Sequence, residues 1–453
     1  MTQPERYILQ TTGRIDHAYR AKGTLEGWKR GVARVAEGNS RLALAISAAF
    51  AAPMLYPTGG ESGGIHFRGG SSTGKTTTLI AAGSAYGGGG IHGFVRSWRT
   101  TSNGLEGLAA MHNDALLCLD EMGQVSGSEA GQIAYMLANG IGKTRANRTG
   151  DARAPQEWRI LFLSSGEISL ADKVAEDGRG RRVAAGQLVR VIDIEADAGA
   201  GHGLFENLHE HLNGDALSRY VKDQAREHYG IAASLFIKHL TANFRDIAPV
   251  AKRYIDEFLE EEVGKDADGQ VRRVAARFGL IGSAGEMSTA IGLLPWPEGE
   301  ATRAAQHCFR DWLRARGGSG AAEDTTGIAT VRRFIEMHGS SRFEAIGELA
   351  PRSSSGELID QRIHNRVGFR RKGDNGGTEY LVLPEAWKAE VCAGMDGARV
   401  ARVLADHGLL ARSSEGKYQM RSRVPGIDGP VRHYLVTSAI LAGNDAEPGR
   451  IAA

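Results

Sequence analysis

A glycine-rich turn early in the chain has the residue types and spacing that hold phosphate. Residues 65–83 read IHFRGGSSTGKTTTLIAAG: an apolar run, a turn of small residues, and an alanine-rich run that opens with Lys-Thr. The turn fits GxxxxGK[ST] with Gly69, Gly74, Lys75 and Thr76, between a strand-like and a helix-like segment. We expect Lys75 to reach the β- and γ-phosphates of ATP and Thr76 to ligate Mg²⁺. Backbone or side-chain contacts to the nucleotide are expected from Gly69, Ser71, Ser72, Thr73, Gly74, Lys75, Thr76 and Thr77.

A pair of carboxylates ends the apolar run LLCLDEM (residues 116–122). Asp120 is expected to hold Mg²⁺ through water, and Glu121 to polarise an attacking water molecule. This pairing favours ATP hydrolysis over transfer of the phosphoryl group to a small acceptor. The alternative is a pair of carboxylates that merely caps a strand.

A second apolar run, RILFLSSGE (residues 159–167), ends in Ser164 and Ser165. In ATPases with an extra strand between the strand before the glycine-rich turn and the carboxylate strand, a polar residue here bonds the attacking water or the γ-phosphate. Either serine fits that role. The alternative is that both are ordinary turn-forming residues.

An arginine-rich segment (residues 175–197) leads into another strand-like run. A guanidinium inserted into the ATP site of a neighbouring subunit would stabilise the charge of the transition state. Arg190 is the first choice for this role, with Arg181 and Arg182 as alternatives. A solvated arginine loop is the competing interpretation.

A basic β-hairpin is predicted before the serine strand, where GIGKTRANRTGDARAPQEWRI (residues 140–160) has a Thr-Gly-Asp turn between two arms. Cations on such a hairpin would contact DNA phosphates irrespective of base sequence. The alternative is a solvated basic loop. The candidate DNA-binding residues are Lys143, Arg145, Arg148 and Arg153.

Composition excludes several classes of protein. The 55 Lys and Arg residues nearly balance the 53 Asp and Glu residues, so contact with nucleic acid must come from local patches. Three well-separated cysteines indicate a reducing compartment and no zinc ribbon. The apolar stretch of residues 42–55 is too short to span a bilayer and predicts a buried helix. We therefore expect a cytoplasmic protein that does not bind membranes, with Mg²⁺ as its metal.

Five strand-like runs alternate with helix-like runs and are apolar on both faces, which predicts a five-stranded parallel sheet in an α/β P-loop ATPase core. After residue 317 the pattern changes to short helices followed by hairpins, among them RIHNRVGFRRKGDNGGTEYLVLP (residues 362–384). That pattern predicts a winged-helix-like α+β module that binds DNA, or alternatively a protein partner. The predicted domains are a helical segment (1–60), the ATPase core (61–200), a helical lid (201–317) and the winged-helix-like domain (324–445).

The segment from Asn39 to Gly317 resembles the domain of unknown function 927 family, P-loop proteins of phages and mobile elements. The motifs that carry the resemblance are GGSSTGKTT, WRTTSNGLE, HNDALLCLDE, MLANGIGKTRANR, FLSSGE and GLLPWPEGEA. The family resembles AAA+ ATPases allied to superfamily III and minichromosome-maintenance-type helicases.

This resemblance implies a hexameric ring that translocates on single- or double-stranded DNA, with a primase or replication initiator as a possible partner protein. By the same resemblance, Arg273 on a late lid helix matches a residue that touches the γ-phosphate, with Arg272 and Arg277 as alternatives. Two other functions stay open. They are an ATP-switched DNA-binding initiator or regulator, and a protein-remodelling ATPase without unwinding activity.

Overall fold

The chain divides into two compact units, Met1–Ser319 and Gly320–Ala453. The computed structural model describes residues 17–90, 93–146, 152–176, 189–264, 267–316, 322–359, 361, 363–424 and 427–442. The three segments predicted as an amino-terminal region, a core and a lid all fall within the first unit. The winged-helix-like segment falls within the second.

The first unit is built on a five-stranded sheet in the order β2-β3-β6-β1-β7, in which every pairing is parallel. The predicted five-stranded parallel sheet is therefore confirmed. Two further short strands, β4 and β5, pair antiparallel as a separate hairpin. The strands are β1 Gly63–Arg68, β2 Arg96–Ser97, β3 Ala115–Asp120, β4 Arg145–Ala146, β5 Ala152–Arg153, β6 Ile160–Gly166 and β7 Val191–Glu195.

The central strands are apolar because both faces of the sheet are covered. All seven residues of β6 are buried, as are the first five of β3. Since these strands are parallel, their carboxyl ends meet at one edge of the sheet. The loops that carry the candidate site leave from that edge.

Helices cover the sheet on both sides. The first seven helices are α1 Leu25–Trp28, α2 Ser40–Ala51, α3 Leu55–Thr58, α4 Lys75–Gly83, α5 Ser102–Met111, α6 Gly127–Asn139 and α7 Leu170–Ala175. The next five are α8 Gly214–Glu227, α9 Ile231–Ala242, α10 Phe244–Glu262, α11 Gly269–Ala290 and α12 Glu300–Arg316. Single 3₁₀ turns lie at Arg34–Ala36, Ala52–Met54 and Met122–Gln124, and one π turn at Lys29–Ala33.

The apolar stretch predicted to be a buried helix forms α2, in which every residue is buried. Because α2 is apolar on all sides, its outer surface also needs cover, and α11 and α12 pack against it. Arg41 of α2 is 2% exposed and forms an ion pair with Asp311 of α12. The Nε of Arg41 donates to the carbonyl oxygen of Glu195 at the end of β7 (3.2 Å). The helices of the predicted lid thus form a layer fixed to the core.

The second unit contains one five-stranded sheet in the order β11-β12-β10-β9-β8. Only the β8–β9 pairing is parallel within its described residues. Its elements are α13 Ala322–His338, β8 Phe343–Ala345, β9 Gly368–Lys372, β10 Thr378–Val382, α14 Pro384–Ala386, α15 Gly397–Asp406, β11 Met420–Arg423 and β12 Pro430–Val436. Short 3₁₀ turns lie at Gly347–Leu349 and Ser438–Leu441, and a π turn at Trp387–Val391. The predicted hairpin, β9–β10, and a second hairpin, β11–β12, belong to this single sheet.

In the part of the chain that the structure describes, none of the helices combines the length and the apolar character needed to cross a membrane.

Candidate nucleotide site

The glycine-rich loop (residues 69–74) joins β1 to α4 in a conformation that most side chains disfavour. Gly69 and Gly74 have φ values of 150° and 97°, and Ser72 has a φ of 63°. None of the backbone N–H groups of residues 70–74 makes a hydrogen bond to another described group. The loop therefore presents unpaired donors at the amino end of α4, which is the arrangement that binds a phosphate group.

Lys75 is the first residue of α4, and its ammonium group donates back to the loop, to the carbonyl oxygen of Gly69 (2.8 Å) and to the Thr73 hydroxyl (3.3 Å). Burial lowers the pKa of Lys75 from its ordinary value, and the negative charges of Glu167 and Asp120 oppose that shift. The ammonium group is thus held by weak neutral acceptors, which an anionic phosphate would replace.

Thr76 and Asp120 are close enough to share a metal ion. The Thr76 hydroxyl donates to the Asp120 carboxylate at 3.0 and 3.2 Å from its two oxygens. A hydroxyl beside a carboxylate is a suitable ligand pair for Mg²⁺, which prefers oxygen ligands and retains several water molecules. The residues present fit the expected metal. Thr77, by contrast, is buried and its hydroxyl has no partner among the described residues, so only its backbone could contribute to the site.

Ser165, at the end of β6, contacts both residues of the Asp120-Glu121 pair. Its hydroxyl donates to Asp120 and accepts from the backbone N–H of Glu121 (3.0 Å). β6 lies between β1 and β3 in the sheet, so Ser165 is placed between the glycine-rich loop and the carboxylates.

Ser164 lies on the opposite face of the same strand and does not reach the cavity. Its hydroxyl accepts from the Trp98 indole N–H (2.9 Å) and contacts Nδ1 of His66 (2.8 Å). Burial lowers the pKa of His66 to about 4. His66 is therefore neutral at pH 7, with Nε2 bonded to the carbonyl oxygen of Ile168 (3.0 Å). Of the two serines that the sequence left open, the geometry favours Ser165.

Glu121 follows β3 in a left-handed backbone conformation with a φ of 61°. This conformation is uncommon for a residue with a side chain, and such outliers concentrate at functional sites. The Glu121 carboxylate accepts a hydrogen bond from the side-chain amide of Gln124, whose oxygen accepts from the Ser97 hydroxyl (3.1 Å). Gln124 is not part of any motif in the sequence, and its position three residues after Glu121 is the one local signal for it.

The glycine-rich loop, the Asp120-Glu121 pair and Ser165 line one cavity of about 550 Å³ at the carboxyl edge of the sheet. Its lining includes Ser71, Ser72, Lys75, Thr76, Asp120, Glu121, Gln124, Ser165 and Lys173. A cavity of this size is in the range that holds small-molecule ligands.

The segment Leu204–Phe205, which was not predicted from the sequence, packs against the glycine-rich loop. The backbone N–H of Leu204 donates to the carbonyl oxygen of Thr73 (2.9 Å). A side chain added at Gly74 would meet Leu204 at 3.2 Å and Phe205 at 3.7 Å. No motif marks this segment in the sequence, because its contact with the loop depends on how the chain returns after β7.

The arginines predicted for the nucleotide site lie elsewhere. Arg273 forms an ion pair with Glu61, just before β1 (3.6 Å). Arg277 is buried and donates to the carbonyl oxygens of Val189 (3.0 Å) and Ser62 (3.4 Å). Both therefore lie at the amino edge of the sheet, roughly 15–20 Å from the glycine-rich loop for a six-residue strand. Arg272 is an exposed neighbour of Arg273 on the same helix. Arg273 does not reach the glycine-rich loop of its own subunit, because α11 packs against the start of β1. The expected contact of Arg273 with a γ-phosphate stays a prediction.

Arg190 also lies at the amino edge of the sheet, immediately before β7. Its guanidinium lies over the Tyr135 ring, 5.3 Å from the centroid, and its carbonyl oxygen accepts from the Gly64 N–H (2.8 Å). Arg190 therefore does not reach the cavity of its own subunit, and its expected role in a neighbouring subunit stays a prediction. Arg181 and Arg182 lie outside the described residues.

The predicted basic hairpin is present between α6 and β6 as β4 and β5, with Arg145 and Arg153 paired across the strands. Lys143 is exposed just before β4. Arg148 lies outside the described residues.

The fold defines the class of protein: an α/β protein with a five-stranded parallel sheet. A solved structure named "SCCmec type IV Cch - active helicase" is similar, with a TM-score of 0.68 and 19% sequence identity. The similarity covers 94% of this chain and 73% of that chain, and at this identity it concerns the fold.

Residues 1–157 match the model of the DUF927 family, a domain of unknown function. The resemblance, which the motifs placed over residues 39–317, is thereby confirmed over residues 39–157, which include the glycine-rich loop and the Asp120-Glu121 pair. A search of curated proteins finds no match.

Proposed function

We propose that the first unit binds ATP and Mg²⁺, hydrolyses the nucleotide and drives movement on DNA as a helicase of a mobile element or phage. The observation that carries the proposal is the position of the Thr76 hydroxyl 3.0 Å from the Asp120 carboxylate, beside the unpaired N–H groups of the glycine-rich loop. A hydroxyl, a carboxylate and a phosphate loop converging on one cavity are the parts that Mg²⁺-dependent NTP hydrolysis requires.

The roles of the individual residues follow from their positions. Lys75 would neutralise the β- and γ-phosphates, and Thr76 and Asp120 would hold Mg²⁺, which supplies charge neutralisation at the transferring phosphoryl group. Ser165 would orient the attacking water, and Glu121 would accept its proton. The hydrogen bond from Gln124 uses one oxygen of the Glu121 carboxylate, and the second oxygen would accept the proton.

An assembly of several copies would complete the site. Arg190 lies at the opposite edge of the sheet from the glycine-rich loop, so its guanidinium could serve the cavity of the next subunit and stabilise charge there. We propose an AAA+-type ring on this ground, with six subunits by family resemblance alone. The hairpin of β4 and β5 would then contribute Lys143, Arg145, Arg148 and Arg153 to contacts with DNA phosphates.

DNA as the substrate is supported by the basic hairpin and by the similarity of fold to a structure named as an active helicase. A protein-remodelling ATPase or a DNA-bound switch would use the same nucleotide site, so the experiment must separate them. We would measure ATP hydrolysis with and without single-stranded DNA, together with strand displacement on a tailed duplex.

The expected result is hydrolysis that DNA stimulates, and displacement that is lost in Lys75→Ala. Lys252→Ala is the matched control, because Lys252 is an exposed lysine on α10, outside the cavity. Hydrolysis that DNA leaves unchanged, without displacement, would refute the helicase and favour a switch or remodelling ATPase. No hydrolysis by the unaltered chain in any condition would refute the ATPase itself.

A further inference from the structure

The second unit carries two hairpins whose cations differ in how they are paired. In the β9–β10 hairpin, Arg371 is bonded to Glu379 (3.0 Å). Lys372 is bonded to Glu348 (3.1 Å). These ion pairs already neutralise cations that would otherwise be available to an anionic ligand.

The arginines of the β11–β12 ribbon (Met420–Arg423 and Pro430–Val436) have no such partners. Arg421, Arg423 and Arg432 are exposed, and none makes an ion pair with another described residue. The nearby acid Glu415 is paired with Lys417 (2.6 Å). Asp428 is exposed near the start of β12 and makes no ion pair within the described chain.

The register of the ribbon brings these charges together. Arg421 lies directly opposite Arg432, and Arg423 lies opposite Pro430. Residues two apart on a strand share a face, so all three guanidinium groups lie on the same face of the ribbon. Like charges directly opposite each other destabilise an antiparallel pair. An anion bound on this face would relieve that repulsion.

A concave surface adjoins the same arginines. A cavity of about 630 Å³ is lined by Arg421, Arg432 and the segment Ser413, Ser414, Glu415, Lys417 and Gln419. Serine hydroxyls, an amide and guanidinium groups around one depression are the donors that bind phosphate oxygens.

We propose that this face of the β11–β12 ribbon binds the phosphate backbone of duplex DNA. The choice of DNA rests on the proposed function. The choice of duplex rests on the absence of an exposed aromatic platform on this part of the described chain. Sites for single-stranded DNA stack bases on exposed aromatic rings. The two tyrosines near the ribbon already have partners: the Tyr434 ring is stacked on the Trp387 ring (4.5 Å between centroids), and the Arg412 guanidinium lies over the Tyr418 ring (5.5 Å from the centroid).

The test is a salt titration of duplex binding by the full chain without nucleotide, measured by fluorescence anisotropy of a labelled blunt duplex. The test variant carries three substitutions together: Arg421→Gln, Arg423→Gln and Arg432→Gln. For duplex DNA the slope of log K against log salt changes by about 0.9 for each phosphate contact, so the triple variant is expected to lose about 2.7 of that slope. At about 0.1 M salt, each lost contact corresponds to roughly eightfold weaker binding.

The matched control, Arg333→Gln, Lys388→Gln, Arg402→Gln, removes the same charge from exposed positions outside the ribbon in the second unit. It is expected to keep the slope of the unaltered chain. An unchanged slope in the ribbon variant, an equal loss in the control, or preference of the ribbon for a single-stranded probe would each overturn the proposal.

If the triple variant does not fold, the single variant Arg432→Gln carries the test, with an expected slope loss of about 0.9. Since no ATP is present, a failed ribbon test leaves the hydrolysis measurement untouched. Conversely, loss of ATP hydrolysis in Lys75→Ala gives no information about the salt dependence of duplex binding.

Discussion

Ser164 and Ser165 are adjacent residues that the structure assigns to different tasks, and the same substitution at each should have opposite consequences. The hydroxyl of Ser164 satisfies the Trp98 indole N–H and Nδ1 of His66, both fully buried. In Ser164→Ala the indole N–H loses its partner where water cannot replace it. An unsatisfied buried donor costs about 1–3 kcal/mol, so we expect about 2 kcal/mol less free energy of unfolding.

Ser165→Ala removes a hydroxyl that faces the cavity, where water can take over its hydrogen bonds. We expect less than about 1 kcal/mol of lost stability. ATP hydrolysis should fall by roughly a hundredfold, because Ser165 fixes the backbone of Glu121 and the carboxylate of Asp120, and small displacements of reacting groups cost that much. Ser164→Ala should retain most of its hydrolysis at temperatures where it is folded.

The assays are urea unfolding followed by tryptophan fluorescence, and steady-state ATP hydrolysis. Ser283→Ala is the matched control, since Ser283 is a buried serine on α11 whose hydroxyl has no hydrogen-bond partner among the described residues. It should leave hydrolysis unchanged, and it should not lower the free energy of unfolding, because the hydroxyl that it removes is an unsatisfied buried group. The reasoning is refuted if Ser164→Ala abolishes hydrolysis while unfolding like the unaltered chain, or if Ser165→Ala is the less stable of the two.

Three further predictions concern single positions. Glu121→Gln should bind ATP normally and hydrolyse it at least about a hundredfold more slowly, because the general base is lost; near-normal hydrolysis would contradict its role. Asp193→Asn should stabilise the chain near pH 8 by about 3 kcal/mol, since each pKa unit corresponds to about 1.4 kcal/mol, and should have little effect near pH 4. Burial raises the pKa of Asp193 to about 6, above its unfolded value, so the stability that Asp193 contributes at low pH is lost as the pH rises through 6. Urea unfolding at several pH values measures this difference, and a difference that grows at low pH would contradict it. Gly64→Ala should lower the unfolding free energy by about 1–3 kcal/mol in the same assay, because a Cβ there would lie 2.1 Å from the Phe162 ring. An unchanged free energy of unfolding would contradict this expectation, because it would show that Phe162 of β6 moves aside at little cost.

Sequence reasoning predicted the sheet because the strands are apolar on both faces, a local property of the chain. It also placed Lys75, Thr76, Asp120 and Glu121 near one another, since parallel strands bring their carboxyl ends to one edge. The choice between Ser164 and Ser165 required the register of β6 against β3, which fixes which face each residue occupies.

Long-range packing explains what the sequence did not predict. The position of Arg273 depends on how α11 lies against β1, and no local pattern encodes this arrangement. The contact of Leu204 with the glycine-rich loop, and the bond of Gln124 to Glu121, likewise depend on the path of the chain after a strand. The unpaired arginines of the β11–β12 ribbon could be recognised only after the acids had been assigned to other cations.

Arg41 has a mechanical consequence for the first unit. Its buried guanidinium joins α2, the end of β7 and α12 through Glu195 and Asp311. Removing one partner of such a buried pair costs about 3–5 kcal/mol, so a hinge between the helical layer and the sheet would be expensive to open. The layer should therefore move with the sheet as one rigid body. Any conformational change during a catalytic cycle would then occur in the short connections at the carboxyl edge of the sheet. The backbone at Glu121, in one of these connections, already has an uncommon conformation.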